Sequence, residues 1–396
     1  MNRVKVMECI RASHGISRPE IARATGLSPS SVTNIVSYLL ERDYVLEKGP
    51  TDSGDVGRRA IILEFNTRRM PILVIHIERD TATAAVTDLG GEPLLQICEP
   101  ITSDCGVERL SEVLNLLISR LTLKAKAAGI GPFAAAGIAL SGLIKGDDTI
   151  ALSKTLRLRD VNIYHIVRAF ENIPVFLQNS SQTKAISVIR AMDGVPCRSM
   201  IFLDLEDGIG LIDIHDGEIN RFIAGELGHT TVNKNGGPCF CGNSGCLEAE
   251  CSVERIFSEC SQLMSSGGAP VLSSLLLDKR EADGSAQLTL EMIDEAARGG
   301  DISVLAVLKG IGEYLGIGIA NAINLFCPQK IIINGGTLLK SDYLYRTAIA
   351  EAKRRAYAEL VDGVKFDIVH VTLQDAIRGI GLYVCGRLFD INGPTL

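Results

Sequence analysis

Apolar residues recur at intervals of three and four in three short segments at the start of the chain, and this pattern predicts three helices. Ser17, with Glu20 three positions later, forms a capping box that begins the second helix. Gly26 marks a sharp turn, after which Ser28 and Pro29 begin the third helix. Two capped helices separated by a glycine turn are typical of a helix-turn-helix.

The third predicted helix carries short hydrogen-bonding side chains on the face opposite its apolar stripe. This polar face consists of Ser30, Ser31, Thr33, Asn34 and Ser37. Short polar side chains with no acidic residue among them can approach base edges and phosphates closely. We therefore predict that this face binds DNA; a module used only for protein contacts is the alternative.

A hairpin is predicted after the third helix, from two apolar strands at 44–46 and 60–63. Arg58 and Arg59 lie in its polar tip, where they are predicted to reach a DNA phosphate or the minor groove. Helices and hairpin together predict a winged helix-turn-helix over residues 1–70. This segment holds eleven Lys/Arg and eight Asp/Glu, whereas the whole chain has a net charge of −7, so we expect only this part to meet a polyanion.

The rest of the chain contains one pattern twice. Residues 72–96 and 200–220 each predict an apolar strand, a tight turn, a second strand, an Asp-containing glycine turn and a third strand. A helical pattern follows each copy. The repetition predicts an α/β body of two similar lobes with a ligand cleft between them, unless the two meanders are alike by coincidence.

Composition favours an ordinary globular protein. Hydrophobic residues make up 46% of the 396 positions and charged residues 22%, so the chain can bury a large core. The longest uncharged run, 127–144, contains a proline and four glycines, and it predicts a loop, a buried strand and a second loop rather than a membrane span. Charges interrupt the N-terminus, so no signal peptide is predicted. We expect a cytoplasmic protein that contacts no membrane and whose eleven cysteines form no disulfide framework.

Three cysteines, Cys239, Cys241 and Cys246, lie within eight residues among several glycines. Glycines allow the backbone to fold back so that the three thiolates converge. Tetrahedral zinc needs a fourth ligand, and His229 is the nearest candidate. Such a set leaves no position for a catalytic water, so a structural zinc site is predicted. The alternatives are buried free cysteines and an iron–sulfur cluster, although the spacing is unlike the common cluster motifs.

The same stretch resembles the ROK family, which includes repressors and sugar kinases. The motif reads Glu226-x-Gly228-His229, then Cys239-x-Cys241-Gly242-x-x-Gly245-Cys246-x-Glu248. The resemblance covers essentially the whole chain, and an N-terminal winged helix is typical of the repressor branch. It implies a duplicated actin/hexokinase-like (ribonuclease H-like) body and zinc on His229 and the three cysteines.

Three domains are expected from this resemblance. Residues 1–70 would form the DNA-binding module. Residues 71–178 would form the first lobe, with a C-terminal helix of about 380–396 packing back onto it. Residues 179–379 would form the second lobe, which carries the zinc loop and an oligomerisation surface.

A sugar site is also implied by the resemblance. The matching residues are Asn179, Glu226, His229 and Glu248, with Ser141 and Gly142 lining the pocket. Carboxylates can accept hydrogen bonds from two vicinal hydroxyls at once, and His229 can bind zinc through one ring nitrogen and a hydroxyl through the other. From residue type alone, Glu226 could equally be a solvated acid, Glu248 a helix N-terminal acid and Asn179 a turn residue.

Three positions depart from the pattern of the family's kinases. The first hairpin reads His76-Ile77-Glu78-Arg79, without the leading Asp or the glycines that contact phosphate. Glu206 and Asp207 in the second repeat would repel a triphosphate. Ser180 stands where the kinases have an Asp as general base. Gly335-Gly336 does resemble an adenosine-contacting turn, but two glycines are also common in a plain strand-to-helix connection.

We therefore expect a sugar-responsive transcriptional regulator that is not an enzyme and binds no ATP. The expected function is repression of genes for carbohydrate uptake or catabolism. The expected partners are a pseudo-palindromic DNA operator, a sugar or sugar-phosphate effector, and further copies of the chain in a homodimer or homotetramer. The alternative is a sugar kinase with an appended DNA-binding module.

Overall fold

The computed structural model describes residues 2–13, 15–50, 61–102, 106–167, 173–192, 197–206, 208–220, 223, 225–279, 287–336 and 338–391. The chain divides into two compact units. The first unit consists of Met1–Ser187 with Leu373–Leu396, and the second consists of Val188–Thr372.

The first unit begins with three helices and a three-stranded antiparallel sheet of order β1-β3-β2. The elements are α1 (Asn2–Ala12), β1 (Ile16–Ser17), α2 (Arg18–Thr25), α3 (Pro29–Glu41), β2 (Val45–Pro50) and β3 (Ile61–Phe65). The predicted capping box at Ser17 and Glu20 is confirmed, and Gly26 ends α2 at a φ of 70°. The Ser28 side chain accepts a hydrogen bond from the Ser31 backbone at the start of α3, as predicted. Residues 51–60, which include the predicted hairpin tip, lie outside the described residues.

A five-stranded sheet of order β11-β7-β4-β5-β6 follows in the first unit. Its antiparallel meander confirms the strands predicted for 72–96, and β7 confirms the buried strand predicted within 127–144. The elements are β4 (Ile72–Ile77), β5 (Thr81–Thr87), β6 (Pro93–Pro100), α4 (Gly106–Ala127), β7 (Ala135–Leu140), β8 (Leu143–Lys145), β9 (Thr149–Ser153), β10 (Leu158–Asn162), α5 (Ile163–Ile166), β11 (Val175–Asn179) and α6 (Ser180–Ala191).

The second unit contains another five-stranded sheet, of order β14-β13-β12-β15-β16. Both sheets run third, second, first, fourth and fifth strand of their own set, with the last two strands parallel to the first. This shared topology agrees with the predicted repeat. The elements are β12 (Ser199–Asp204), β13 (Gly210–His215), β14 (Glu218–Ile219), α7 (Leu247–Cys251), α8 (Val253–Ser265), α9 (Pro270–Asp278), α10 (Leu290–Arg298), α11 (Ile302–Phe326), β15 (Lys330–Asn334), α12 (Asp342–Arg355), α13 (Ala358–Val361) and β16 (Lys365–Val369).

Within the described part of the chain, α11 is the one helix whose length and apolar composition would suffice for a membrane span. A central core helix meets the same two criteria. Leu308, Leu315 and Ile319 of α11 are buried in the core of the second unit.

The last helix, α14 (Leu373–Ile391), belongs to the first unit. Ile380 and Val384 pack against the sheet beside Gly137, where a side chain on β7 would collide with both of them. Farther along α14, Phe389 meets Phe65 of β3 edge to face, with ring centroids 6.0 Å apart. The helix therefore contacts both the five-stranded sheet and the N-terminal module.

Candidate functional site

The second unit brings together His229, Cys239, Cys241 and Cys246. Their ligand atoms all lie within 4.8 Å of one another. His229 Nδ1 is 3.6 Å from the Cys239 sulfur, and the sulfurs of Cys241 and Cys246 are 3.7 Å apart. A tetrahedral ion with sulfur at about 2.3 Å holds its ligands about 3.8 Å apart. The predicted set therefore fits a closed four-ligand metal site.

Backbone hydrogen bonds hold the loop that carries these sulfurs. The Gly245 carbonyl accepts from the amides of Val232 and Asn233, at 2.9 and 3.2 Å, and the Gly245 amide donates to Gly237 at 2.8 Å. Gly245 has a φ of 67°, and a Cβ there would lie 2.7 Å from the Asn233 carbonyl carbon. Glycine is therefore required at this position by both its backbone conformation and the close approach of Asn233.

Glu250, which the sequence analysis missed, stabilises the loop through a hydrogen bond with Asn233. Its side chain is buried, and it accepts hydrogen bonds from the Asn233 side chain at 3.3 Å and from Arg255. Arg255 also donates to Glu259 at 2.7 Å. A buried carboxylate requires a partner, and Asn233 and Arg255 supply it here. No local pattern in the sequence marks Glu250 as buried.

The four ligands differ in their surroundings. Burial raises the pKa of the Cys246 thiol to about 12, and the neighbouring sulfurs add to the effect. A backbone hydrogen bond from Asn243 lowers the pKa of the more exposed Cys241. A bound cation favours the thiolate of every cysteine that coordinates it, so a metal ion would offset the burial of Cys246.

Two carboxylates lie beside the ligand set. Glu226 is 3.9 Å from His229 Nε2, the ring nitrogen that faces away from Cys239. Glu248 accepts a hydrogen bond from the Ile209 amide at 3.3 Å and passes so close to Gly208 that a Cβ there would lie 2.6 Å from it. Burial raises the pKa of Glu226; the charge of Glu248 acts in the same direction and His229 in the opposite one. The second unit thus places the Glu226 carboxylate beside the His229 imidazole and holds the Glu248 carboxylate against the turn at Gly208.

The candidate sugar residues of the first unit also lie together. β7 and β11 are parallel neighbours, and Ser141, Gly142 and Asn179 lie where these strands end. The Asn179 side chain donates to the Gly142 carbonyl at 2.7 Å and accepts from the Ser181 amide at 2.8 Å. The Ser141 carbonyl accepts from Ser153 at 2.7 Å. Open α/β sheets bind ligands at this edge, outside the carboxyl ends of the strands.

Two of the positions that depart from the kinase pattern are buried in the first unit. His76 is 1% exposed, and neither ring nitrogen has a hydrogen-bond partner within 3.5 Å among the described residues. Burial lowers the pKa of His76 to about 3, and the charge of Lys184 acts in the same direction. The imidazole is therefore neutral at pH 7. Ser180 is the first residue of α6, and Asp207 lies outside the described residues.

The predicted DNA-contacting face is displayed on α3. Ser30, Thr33, Asn34 and Ser37 are exposed and Ser31 is half-buried. The Thr33 hydroxyl donates to the Pro29 carbonyl at 2.9 Å. Arg58 and Arg59 lie outside the described residues, so their predicted contact with DNA stays a prediction.

Two named relatives match nearly the full chain. It is 26% identical over 390 residues to the xylose repressor of Bacillus subtilis, a match that covers 96% of this chain and 94% of that one. It is also 26% identical over 376 residues to the DNA-binding transcriptional repressor Mlc of Escherichia coli, with 93% and 88% covered.

Two crystal structures share the fold. A ROK family transcriptional regulator, a homolog of the E. coli Mlc protein, superposes with a TM-score of 0.78 at 23% identity and covers 98% of this chain and 96% of its own. A ROK family glucokinase from Streptomyces griseus, in complex with glucose and AMPPNP, has a TM-score of 0.61 at 21% identity, with 80% and 99% covered. The sequence profile of the ROK family matches residues 73–381, as the motif predicted. Because that match spans most of its length, the chain belongs to the ROK family.

Proposed function

We propose that this chain is a sugar-responsive, DNA-binding transcriptional repressor of genes for carbohydrate uptake or catabolism. The observation that carries the proposal is the joining of a three-helix module, with a polar exposed face on α3, to a ROK body. The names of both relatives, each aligned over more than nine tenths of this chain, describe repressors.

The N-terminal module acts in this proposal as a winged helix-turn-helix over residues 1–70. The elements α2 and α3 are separated by the turn at Gly26, which supports this proposal, because in helix-turn-helix proteins the second of two such helices enters the major groove. The chain would bind a pseudo-palindromic operator as a homodimer or homotetramer, because a two-fold axis between two modules matches a symmetric site.

A sugar or sugar phosphate is the proposed effector. The residues proposed to bind it are Ser141, Gly142, Asn179, Glu226, His229 and Glu248. The carboxylates of Glu226 and Glu248 can accept hydrogen bonds from sugar hydroxyls, and the side chain of Asn179 can donate or accept a hydrogen bond. His229 Nε2 faces Glu226, so one imidazole can hold a metal through Nδ1 and orient a sugar hydroxyl with its other nitrogen.

Zinc is the proposed metal, on His229, Cys239, Cys241 and Cys246. Three sulfurs and one imidazole nitrogen form a soft donor set that suits zinc and does not suit the hard cations magnesium and calcium. When bound, zinc supplies a fixed charge that holds the loop folded and leaves no position open for water. The ligands His229 and Cys246 would then orient Glu226 and Glu248, which lie within three residues of them in the sequence.

Kinase activity is absent in this proposal. His76 offers a neutral imidazole where the family's kinases have an Asp, and Ser180 cannot take a proton as a carboxylate does. Glu206 adds negative charge beside Gly336, a residue of the turn that resembles an adenosine-contacting one. These observations favour a sensor over the alternative, a sugar kinase with an appended DNA module.

The test combines DNA binding, ligand binding and turnover. Purified protein is mixed with a labelled duplex from its own upstream region and with a panel of free and phosphorylated sugars, and melting temperature and DNA affinity are recorded. We expect one sugar class both to raise the melting temperature and to change DNA affinity, and Glu226→Gln to weaken both effects. Glu359→Gln, an exposed acid of the same unit, is the matched control and should leave them unchanged. Sugar-dependent ATP hydrolysis would instead establish the kinase.

A further inference from the structure

Two arginines of the N-terminal module stack on one tyrosine. The guanidinium carbons of Arg3 and Arg42 each lie 3.8 Å from the centre of the Tyr38 ring. Two guanidinium groups cannot share the same volume, so they occupy opposite faces of the ring. We call Arg3, Tyr38 and Arg42 the arginine sandwich.

The arginine sandwich lies at the edge of the polar face of α3. Tyr38 is four residues after Asn34, and Arg42 is four residues after Tyr38, so the three follow one line along the helix surface and its C-terminal end. Arg3 reaches the same ring from the first turn of α1. Residues from two helices thus place two positive charges next to the face proposed to contact bases.

The two guanidinium charges of the sandwich are close together. With each guanidinium carbon 3.8 Å from the ring centre, the two lie about 7.6 Å apart, and like charges at that distance repel. Glu41 is 3.9 Å from Arg42, but both side chains are well exposed, so this pair contributes little. Arg69 adds a third cation, because its Nε donates to the Arg42 carbonyl at 3.0 Å. An anion that reaches this surface relieves the repulsion.

Stacking also prepares the two arginines for an anion. A guanidinium that lies flat on a ring keeps its N–H groups at the edge, in the plane where they meet phosphate oxygens. Its side chain has already lost much of its rotamer freedom, so less entropy is lost when a phosphate binds. Repeated phosphates along a DNA strand are the anions next to a helix in the major groove.

We propose that Arg3 and Arg42, held on Tyr38, bind DNA backbone phosphates beside the bases that α3 contacts. This inference rests on the proposed DNA-binding function and adds residues that the sequence analysis did not select. The contact is independent of base sequence, so it contributes to operator and random DNA alike.

The experiment measures affinity for a fluorescein-labelled random-sequence duplex between 50 and 200 mM salt. The full-length variant Arg3→Gln/Arg42→Gln loses two phosphate contacts, so the slope of log affinity against log salt should fall in magnitude by about 1.8. Over this fourfold range, the affinity of the variant should therefore drop about 12-fold less than that of the wild type. Arg109→Gln/Arg346→Gln removes two exposed arginines of α4 and α12 and should leave the slope unchanged.

Two further variants separate phosphate contact from a structural role. Arg3→Lys/Arg42→Lys keeps both charges and should keep the wild-type slope, whereas Tyr38→Leu should keep the slope and weaken binding several-fold. If the Gln variant lowers the melting temperature but leaves the slope unchanged, the sandwich only joins α1 to α3 and the inference is wrong. Wild-type protein that binds no duplex at all would contradict the proposed function itself.

Discussion

Two glycines of the metal loop offer a matched test of how the loop is held. Gly245 and Gly242 both have positive φ, 67° and 95°, so alanine is strained at either position, at a cost of about 1–3 kcal/mol. Among the residues that the structure describes, no atom lies within 4 Å of a Cβ at Gly242. A Cβ at Gly245 would instead overlap the Asn233 carbonyl, with 2.7 Å to its carbon against an ordinary contact of about 3.5 Å.

The difference between the two alanine variants follows from the hydrogen bonds that the collision breaks. Relieving it moves Gly245 away from Asn233, and three backbone hydrogen bonds, with Val232, Asn233 and Gly237, depend on that position. At about 0.5–1.5 kcal/mol each, their loss adds about 1.5–4.5 kcal/mol to the shared strain. For a unit of this size, 1.5 kcal/mol corresponds to a melting temperature lower by about 3–6 °C.

Two measurements test this difference. The melting temperature of the metal-loaded protein reports the loss of stability, and the rate at which a chelator removes the metal reports how firmly the loop is held. Gly245→Ala should melt at least about 3 °C below Gly242→Ala and release metal faster, because Cys246 follows Gly245 directly. Equal melting temperatures and equal release rates would show that the Asn233 contact does not hold the loop, and the packing argument for Gly245 would fail.

Three further predictions concern the metal, the buried histidine and the lost base. Elemental analysis should find one zinc per chain, which Cys246→Ser abolishes and Cys98→Ser, at an exposed cysteine, does not. His76 stays neutral in the folded protein but takes up a proton below pH about 6.5 in the unfolded chain, so acid lowers the free energy of unfolding. Between pH 7.5 and 5.5, the free energy of unfolding in urea should therefore fall by about 1.4 kcal/mol more for the wild type than for His76→Leu. Ser180→Asp should restore no ATP turnover in a coupled assay, because a general base adds about 10²–10⁴-fold only on a bound nucleotide, and measurable turnover would refute this.

Local sequence signals predicted most of the fold because they act over a few residues. The capping box at Ser17 and the cap at Ser28 place the starts of α2 and α3 within one residue. Alternation over 72–96 and 200–220 predicted both meanders, since each is closed by its own turns. The spacing of three cysteines predicted the metal cluster because a short glycine-rich loop has few ways to fold.

Local sequence patterns could not predict contacts between positions that are distant in the sequence. Glu250 pairs with Arg255 and with Asn233, seventeen residues away, and nothing local marks it as buried. The stacking of Arg3 on Tyr38 joins residues 35 positions apart, and it depends on the packing of α1 against α3. Burial of His76 depends on which elements cover its strand, which periodicity alone does not state.

The final helix bears on how an effector and DNA could influence each other. Gly379 of α14 packs so closely against α6 that a Cβ there would lie 2.7 Å from the Thr183 carbonyl carbon, and α6 begins directly after Asn179. Ten residues later, about 15 Å along the helix, Phe389 packs against Phe65 of the N-terminal module. Coupling between two sites requires an element whose position both of them bias. Because α14 touches both α6 and the module within one compact unit, an effector that displaced α6 at Asn179 would act on a helix already in contact with the proposed DNA-binding module.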